Sequence, residues 1–120
     1  MGRIERVNQQ IKREISQILQ SELQDPRFEF VSITRVDVSR DLQTARVYFS
    51  TLGDQNRVDN ILSGLQNARG LIRRELGRRV KIRFTPELMF HYDHSIEFGA
   101  KLEETLQELH DENEKNYSDD

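Results

Sequence analysis

The chain has 120 residues, enough for one domain with its own core, and no cysteine, which excludes a disulfide scaffold and a thiolate metal site. No run approaches the ~20 apolar residues of a membrane span, and the start Met1-Gly2-Arg3-Ile4-Glu5-Arg6 lacks the apolar core of a signal peptide, so a cytoplasmic protein is expected. The net charge of −3 conceals an asymmetry: residues 1–86 carry 16 Lys+Arg against 10 Asp+Glu, whereas residues 87–120 carry 2 against 11. A basic body with an acidic tail points toward a polyanionic partner such as nucleic acid, and 14 of the 18 basic residues are arginine, whose planar fork suits phosphate. An arginine-rich solvated surface on an ordinary domain accounts for composition equally well.

Residues 4–23 read as an amphipathic helix, with Ile4, Val7, Ile11, Ile15, Ile18, Leu19 and Leu23 on one stripe and Arg3, Arg6, Lys12 and Arg13 off it. Asp25-Pro26 ends it, because proline disfavours helical geometry in the preceding residue. Two strands follow. Residues 31–38 hold Ile33, Val36 and Val38 in an imperfect period of two, whereas Ala45, Val47 and Phe49 alternate cleanly with Arg46, Tyr48 and Ser50. The short polar link Ser39-Arg40-Asp41-Leu42-Gln43 makes an antiparallel hairpin the natural pairing.

After a break at Gly53-Asp54-Gln55-Asn56, the residues Val58, Ile61, Leu62, Leu65, Ala68, Ile72 and Leu76 share a helical stripe. In a straight helix, at about 100° per residue, Arg69 would lie only ~40° from Leu65, inside the apolar face. The spacing therefore predicts two helices, about 57–68 and 71–76, with a kink at Ala68-Arg69-Gly70 that turns Arg69 to solvent. Gly70 is expected to permit the break and Gly77 to stop the second helix. Val80, Ile82 and Phe84 then alternate with Lys81, Arg83 and Thr85, predicting a third strand with one cationic face. Pro86 interrupts it before Leu88, Phe90 and Tyr92 resume the pattern. A last helix is expected from His94 or Ser95, with Ile96, Gly99, Leu102, Leu106 and Leu109 on one side. The expected organisation is one domain over residues 1–110 and an acidic, disordered tail over residues 111–120.

Between Arg69 and Arg83 seven basic residues face one acid, Glu75. A dense cationic patch beside a helix break can hold a polyanion close to backbone N–H groups. The candidate RNA-binding residues are Arg69, Gly70, Arg73, Arg74, Arg78, Arg79, Lys81 and Arg83, with Arg3, Arg6, Lys12 and Arg13 from the first helix. Some of these are expected to pair with Glu75 or with acids of the last helix instead. Aromatic side chains near the patch are few, and Tyr48 is the best candidate for base stacking. His91-Tyr92-Asp93-His94 resembles a metal or acid–base cluster at first sight, but a third or fourth ligand is not evident, and capping of the next helix by Asp93, His94 or Ser95 is the simpler reading. There is no P-loop, dinucleotide fingerprint or nucleophile motif, so neither an enzyme nor a cofactor is expected.

The order helix–strand–strand–helix–kink–helix–strand–helix predicts an α+β fold of the type II KH-like kind: a three-stranded sheet with helices on one face. KH domains present a GXXG loop at the helix junction; here Ala68-Arg69-Gly70 stands in its place. With Asp41-Leu42, Ile72-Arg73-Arg74-Glu75-Leu76-Gly77, Pro86-Glu87-Leu88-Met89-Phe90 and Tyr92-Asp93-His94-Ser95-Ile96-Glu97, these motifs closely resemble the bacterial ribosome-binding factor A family from about Arg3 to Leu109. The resemblance implies a monomeric, cold-shock-associated, non-catalytic factor. It would bind the free small ribosomal subunit through 16S rRNA and assist late maturation, including 5′-end processing, with a maturation GTPase and initiation factors implicated in its release. Two other readings stay open. One is a KH-like adaptor whose basic face meets an acidic protein; the other, less favoured, is a hydrolase using residues 91–94.

Overall fold

The computed structural model describes residues 2–95 of the chain. Helix α1 (Arg3–Ser21) is followed by a single 3-10 turn at Pro26–Phe28, strands β1 (Ser32–Val38) and β2 (Thr44–Ser50), helices α2 (Gln55–Asn67) and α3 (Arg69–Arg79), and strand β3 (Glu87–Tyr92). The sheet order is β1-β2-β3, with β1 antiparallel and β3 parallel to the central β2. This is the α+β arrangement expected from the sequence. Most of the expected last helix falls on residues 96–109, outside the described residues, as does the acidic tail.

One register explains the core. Ile33 lies opposite Phe49, Val36 opposite Val47 and Val38 opposite Ala45, while Ala45 and Val47 oppose Leu88 and Phe90 across the parallel ladder. All these side chains are buried, and they meet Ile11, Ile15, Ile18, Ile61, Leu65, Ile72 and Leu76 from the three helices. The imperfect alternation of β1 has a physical cause. A register shift between Ile33 and Arg35 inserts an extra residue, so Ile33 and Val36 both point inward three positions apart. Thr34, at that bulge, donates its hydroxyl to Oδ2 of Asp93 at the far end of β3, and the Asp93 amide donates to the Phe49 carbonyl at 2.8 Å.

Asp93 also accepts from the Ser95 amide at 2.9 Å and from the Ser95 hydroxyl, so it caps the start of the next segment, where His94 and Ser95 are helical. The hydrogen bonds from Ser95 and then Thr34, with Arg35 nearby, hold its carboxyl below the ordinary aspartate range. Folded Asp93 therefore binds a proton less readily than unfolded Asp93. Its contribution to stability is complete above the unfolded value and disappears as pH falls through the folded one. Asp93→Asn is expected to reduce the acid dependence of the urea midpoint below pH ~4; an unchanged acid limb would show that this network does not form.

The hairpin link is organised by Asp41, whose Oδ1 accepts from the Ser39 hydroxyl at 2.6 Å and the Gln43 amide at 3.1 Å. Leu42 adopts a left-handed φ of 61° there, which lets its half-buried side chain reach back to the core.

Three expectations need correction. The helix break falls on Ala68 (φ −88°, ψ 1°), whereas Gly70 lies inside α3. Gly70 has no positive φ, and nothing lies within 4 Å of where its Cβ would be, so no conformational need explains it. Gly77 does not stop α3, which continues to Arg79. A Cβ on Gly77 would lie 2.7 Å from the Thr85 hydroxyl oxygen, so this glycine admits the following loop against the helix. Finally, residues 80–86 form no strand. Val80 and Pro86 are buried as loop anchors, Ile82 is half-buried and Phe84 faces solvent. Pairing with β2 begins only after Pro86, where the Glu87 amide donates to the Gln43 carbonyl at 2.8 Å.

Candidate nucleic-acid interface

The junction between α2 and α3 places the central candidates. Ala68 takes the bridge-region geometry that no continuous helix allows, so Arg69 leaves the apolar stripe and is exposed while Ile72 and Leu76 remain fully buried. The opening N–H groups of α3 belong to Arg69, Gly70 and Leu71 and cannot be satisfied by α3 itself. Arg69, Arg73 and the open backbone at Gly70 lie within the first turn and a half of α3, with Arg74 one turn beyond Gly70. The positive end of the helix dipole thus lies beside Arg69 and Arg73 on one side of α3, and Arg74 adds charge from an adjoining side.

The twelve candidates do not all serve that surface. Arg79 reaches Glu22 at 3.0 Å and Glu14 at 3.7 Å, tying α3 to α1 with a side chain only 25% exposed. Its first task is structural. Arg78 pairs with Glu75 at 3.3 Å one turn back, as expected for some of the arginines, but remains largely exposed. Arg73 donates from Nη2 to the Thr85 carbonyl at 2.9 Å, fastening the 80–86 loop to α3. Lys81 and Arg83 sit on that loop, not on a strand face as expected, and the Arg83 guanidinium lies 5.4 Å from the Phe84 ring centroid. Arg69 and Arg74 are exposed and have no hydrogen bond or ion pair among the described residues. On α1, Arg3, Arg6 and Arg13 are exposed and Lys12 is half-buried; they follow the helix that α3 packs against.

Two aromatic residues bear on base stacking. Tyr48 is on the open face of the sheet, but the Arg35 guanidinium already lies 4.2 Å from its ring centroid and His91 flanks it at 5.5 Å. It is poorly placed to accept a base. Phe84, which the alternation places on a strand opposite its cationic face, lies on a loop and is 70% exposed. Its signal in the sequence was position: it is the aromatic residue directly after the basic run, two residues before a proline. Among the described residues no group of three or more His, Asp or Glu side chains is arranged to hold a metal ion, and no helix is long and apolar enough to cross a membrane.

Gly70 yields a direct prediction. An exposed helical glycine without intramolecular constraint is less favourable than alanine by up to about 1 kcal/mol. Gly70→Ala should therefore raise the melting temperature; a lower one would mean that this backbone is under a constraint other than the helix.

An α+β domain with a kinked helix pair, and with a cationic helix junction beside a glycine, has the architecture of the KH-like class. The family model for ribosome-binding factor A matches residues 3–106. Ribosome-binding factor A of Acetivibrio thermocellus is 50% identical over 114 residues, covering 94% of this chain and 93% of the relative. That of Staphylococcus carnosus is 46% identical over 108 residues, covering 90% and 94%. The chain belongs to the ribosome-binding factor A family. The crystal structure of ribosome-binding factor A from Thermus thermophilus superimposes with a TM-score of 0.69 at 27% identity, over 77% of this chain and 97% of the other. The Thermus thermophilus homology model fitted into the cryo-EM map of a 30S-RbfA complex matches with a TM-score of 0.62 at 28% identity, over 72% and 91%.

Proposed function

We propose that this protein binds the free 30S ribosomal subunit in the cytoplasm through 16S rRNA, with the α2–α3 junction as its principal contact, and assists late maturation of that subunit. The observation that carries this reading is the exposed pair Arg69 and Arg74 flanking bare backbone at Gly70, without partners among the described residues, in a chain of this family. Arg73, Arg78, Lys81 and Arg83 extend the contact along α3 and the loop, and the α1 cations Arg3, Arg6, Lys12 and Arg13 extend it further. Arg79 supports the surface through α1.

The chemistry is binding and positioning. Phosphates engage guanidinium groups and first-turn N–H groups, which favours one arrangement of immature RNA without any covalent step. Facilitated 5′-end processing of 16S rRNA follows if the held arrangement is the one that the processing nuclease recognises. Release assisted by a maturation GTPase or by initiation factors belongs to the same reading. In cells depleted of the native factor, the wild-type chain should restore mature 16S 5′ ends, whereas the Arg69→Glu/Arg74→Glu chain, expressed to the same level, should leave the extended precursor in place. Full restoration by the doubly reversed chain would remove the junction from the function.

A further inference from the structure

We propose that Phe84 is a stacking platform for an unpaired nucleobase, placed beside the phosphate-binding junction; this inference rests on the RNA-binding reading and specifies what that site recognises. Phe84 is 70% exposed, at odds with its apolar character, yet the loop that carries it is fastened on both sides. Val80 and Pro86 are buried, the Thr85 carbonyl accepts from Arg73 at 2.9 Å, and Thr85 lies so close to α3 that only glycine fits at position 77 without something shifting. The exposure of the ring is therefore built into the packing of the loop.

What surrounds the ring favours a base over other occupants. Arg83 approaches it at 5.4 Å, and Lys81 is exposed on the same loop. Phe84 borders a groove of about 430 Å³ shared with Gln43, Thr44, Arg73, Thr85 and Glu87. The groove thus combines an aromatic wall, a guanidinium for phosphate, and amide and hydroxyl groups that can meet base edges. Arg73 stands one turn after Arg69 on α3 and itself lines the groove that Phe84 borders, so one side chain links the junction to the ring's groove. Arg73, Lys81 and Arg83 outnumber the one acid of the groove, Glu87, so the net charge beside the ring suits an RNA strand better than an uncharged protein anchor.

The test uses the whole chain. Phe84→Ala removes an exposed ring and should leave the melting curve intact. It should weaken binding to free small subunits about tenfold, the low end of an aromatic stacking contribution, with an unchanged dependence of affinity on salt because no charge is lost. The chain contains no tryptophan, so Phe84→Trp provides a single reporter. Its emission should be quenched by a short single-stranded adenine oligoribonucleotide and far less by an RNA hairpin of equal charge. Subunit binding by Phe84→Ala at wild-type affinity overturns the platform while leaving the junction reading in place. Weakened binding without quenching by the oligonucleotide also overturns it and makes the ring an anchor for protein. If the wild-type chain itself fails to bind small subunits, the RNA-binding reading fails, and the platform with it.

Discussion

The Arg69→Glu/Arg74→Glu double substitution is expected to lower affinity for free small subunits by at least about 100-fold, because two charge-assisted phosphate contacts are replaced by two repulsions. Its thermal unfolding should hardly change. Neither side chain has an ion pair or hydrogen bond among the described residues, and both are exposed, so the folded domain loses no internal contact there. This separation of binding from stability makes the pair a better probe than its neighbours. Reversing Arg73 would also free the Thr85 carbonyl, and reversing Arg79 would set a new acid against Glu14 and Glu22. Affinity within threefold of wild type, in a variant that melts normally, would move the RNA contact away from the junction.

The largest loss of stability should come from the centre of the sheet. Phe49 is fully buried on the central strand, opposite Ile33 on one side and paired with Tyr92 on the other, whose ring meets it edge-on at 5.8 Å. Phe49→Ala removes that volume where both neighbouring strands and the helices converge, and the cost should be about 3–5 kcal/mol. Since small domains are stable by only about 5–15 kcal/mol in total, much of that margin would be lost. The urea midpoint should fall sharply with little change in slope. A loss below about 1 kcal/mol would mean that the core closes around the gap far better than its packing implies.

The parts of this fold that were legible in the sequence are those in which one physical cause dominates. The stripe of Ile11, Ile15 and Ile18 fixes α1 because burial of one face outweighs every other preference, and Ala45, Val47 and Phe49 mark β2 for the same reason. The problem posed by Arg69 was also visible, since a charge within an apolar stripe has to be turned outward. Which residue would make the turn was not visible. Glycine was the natural choice on conformational grounds, but Ala68 reaches a ψ near 0° without needing a positive φ, so the turn makes no demand on Gly70.

The loop from Val80 to Pro86 misled for a different reason. Its alternation of apolar and charged residues is that of a strand, yet the period arises from anchoring: Val80 and Pro86 are held in the core and Ile82 half so, while Lys81 and Arg83 face out. A strand needs a partner ladder as well as a pattern, and here the ladder along β2 starts at Glu87. Gly77 was misread with it, because a glycine near a helix end suggests a stop until the close approach of Thr85 is known. Within the candidate site, charge was legible but division of labour was not. Only tertiary structure shows Arg79 bridging to α1 and Arg73 bracing the loop.

The most direct measurement is co-sedimentation of the purified chain with free small subunits, free large subunits and complete ribosomes across a series of salt concentrations. Binding confined to free small subunits, weakening steeply with salt and abolished by Arg69→Glu/Arg74→Glu, is the predicted result. Equal binding to all three particles would reduce the junction to nonspecific charge, and salt-insensitive binding would place the contact on protein; either would contradict recognition of the small subunit through RNA phosphates.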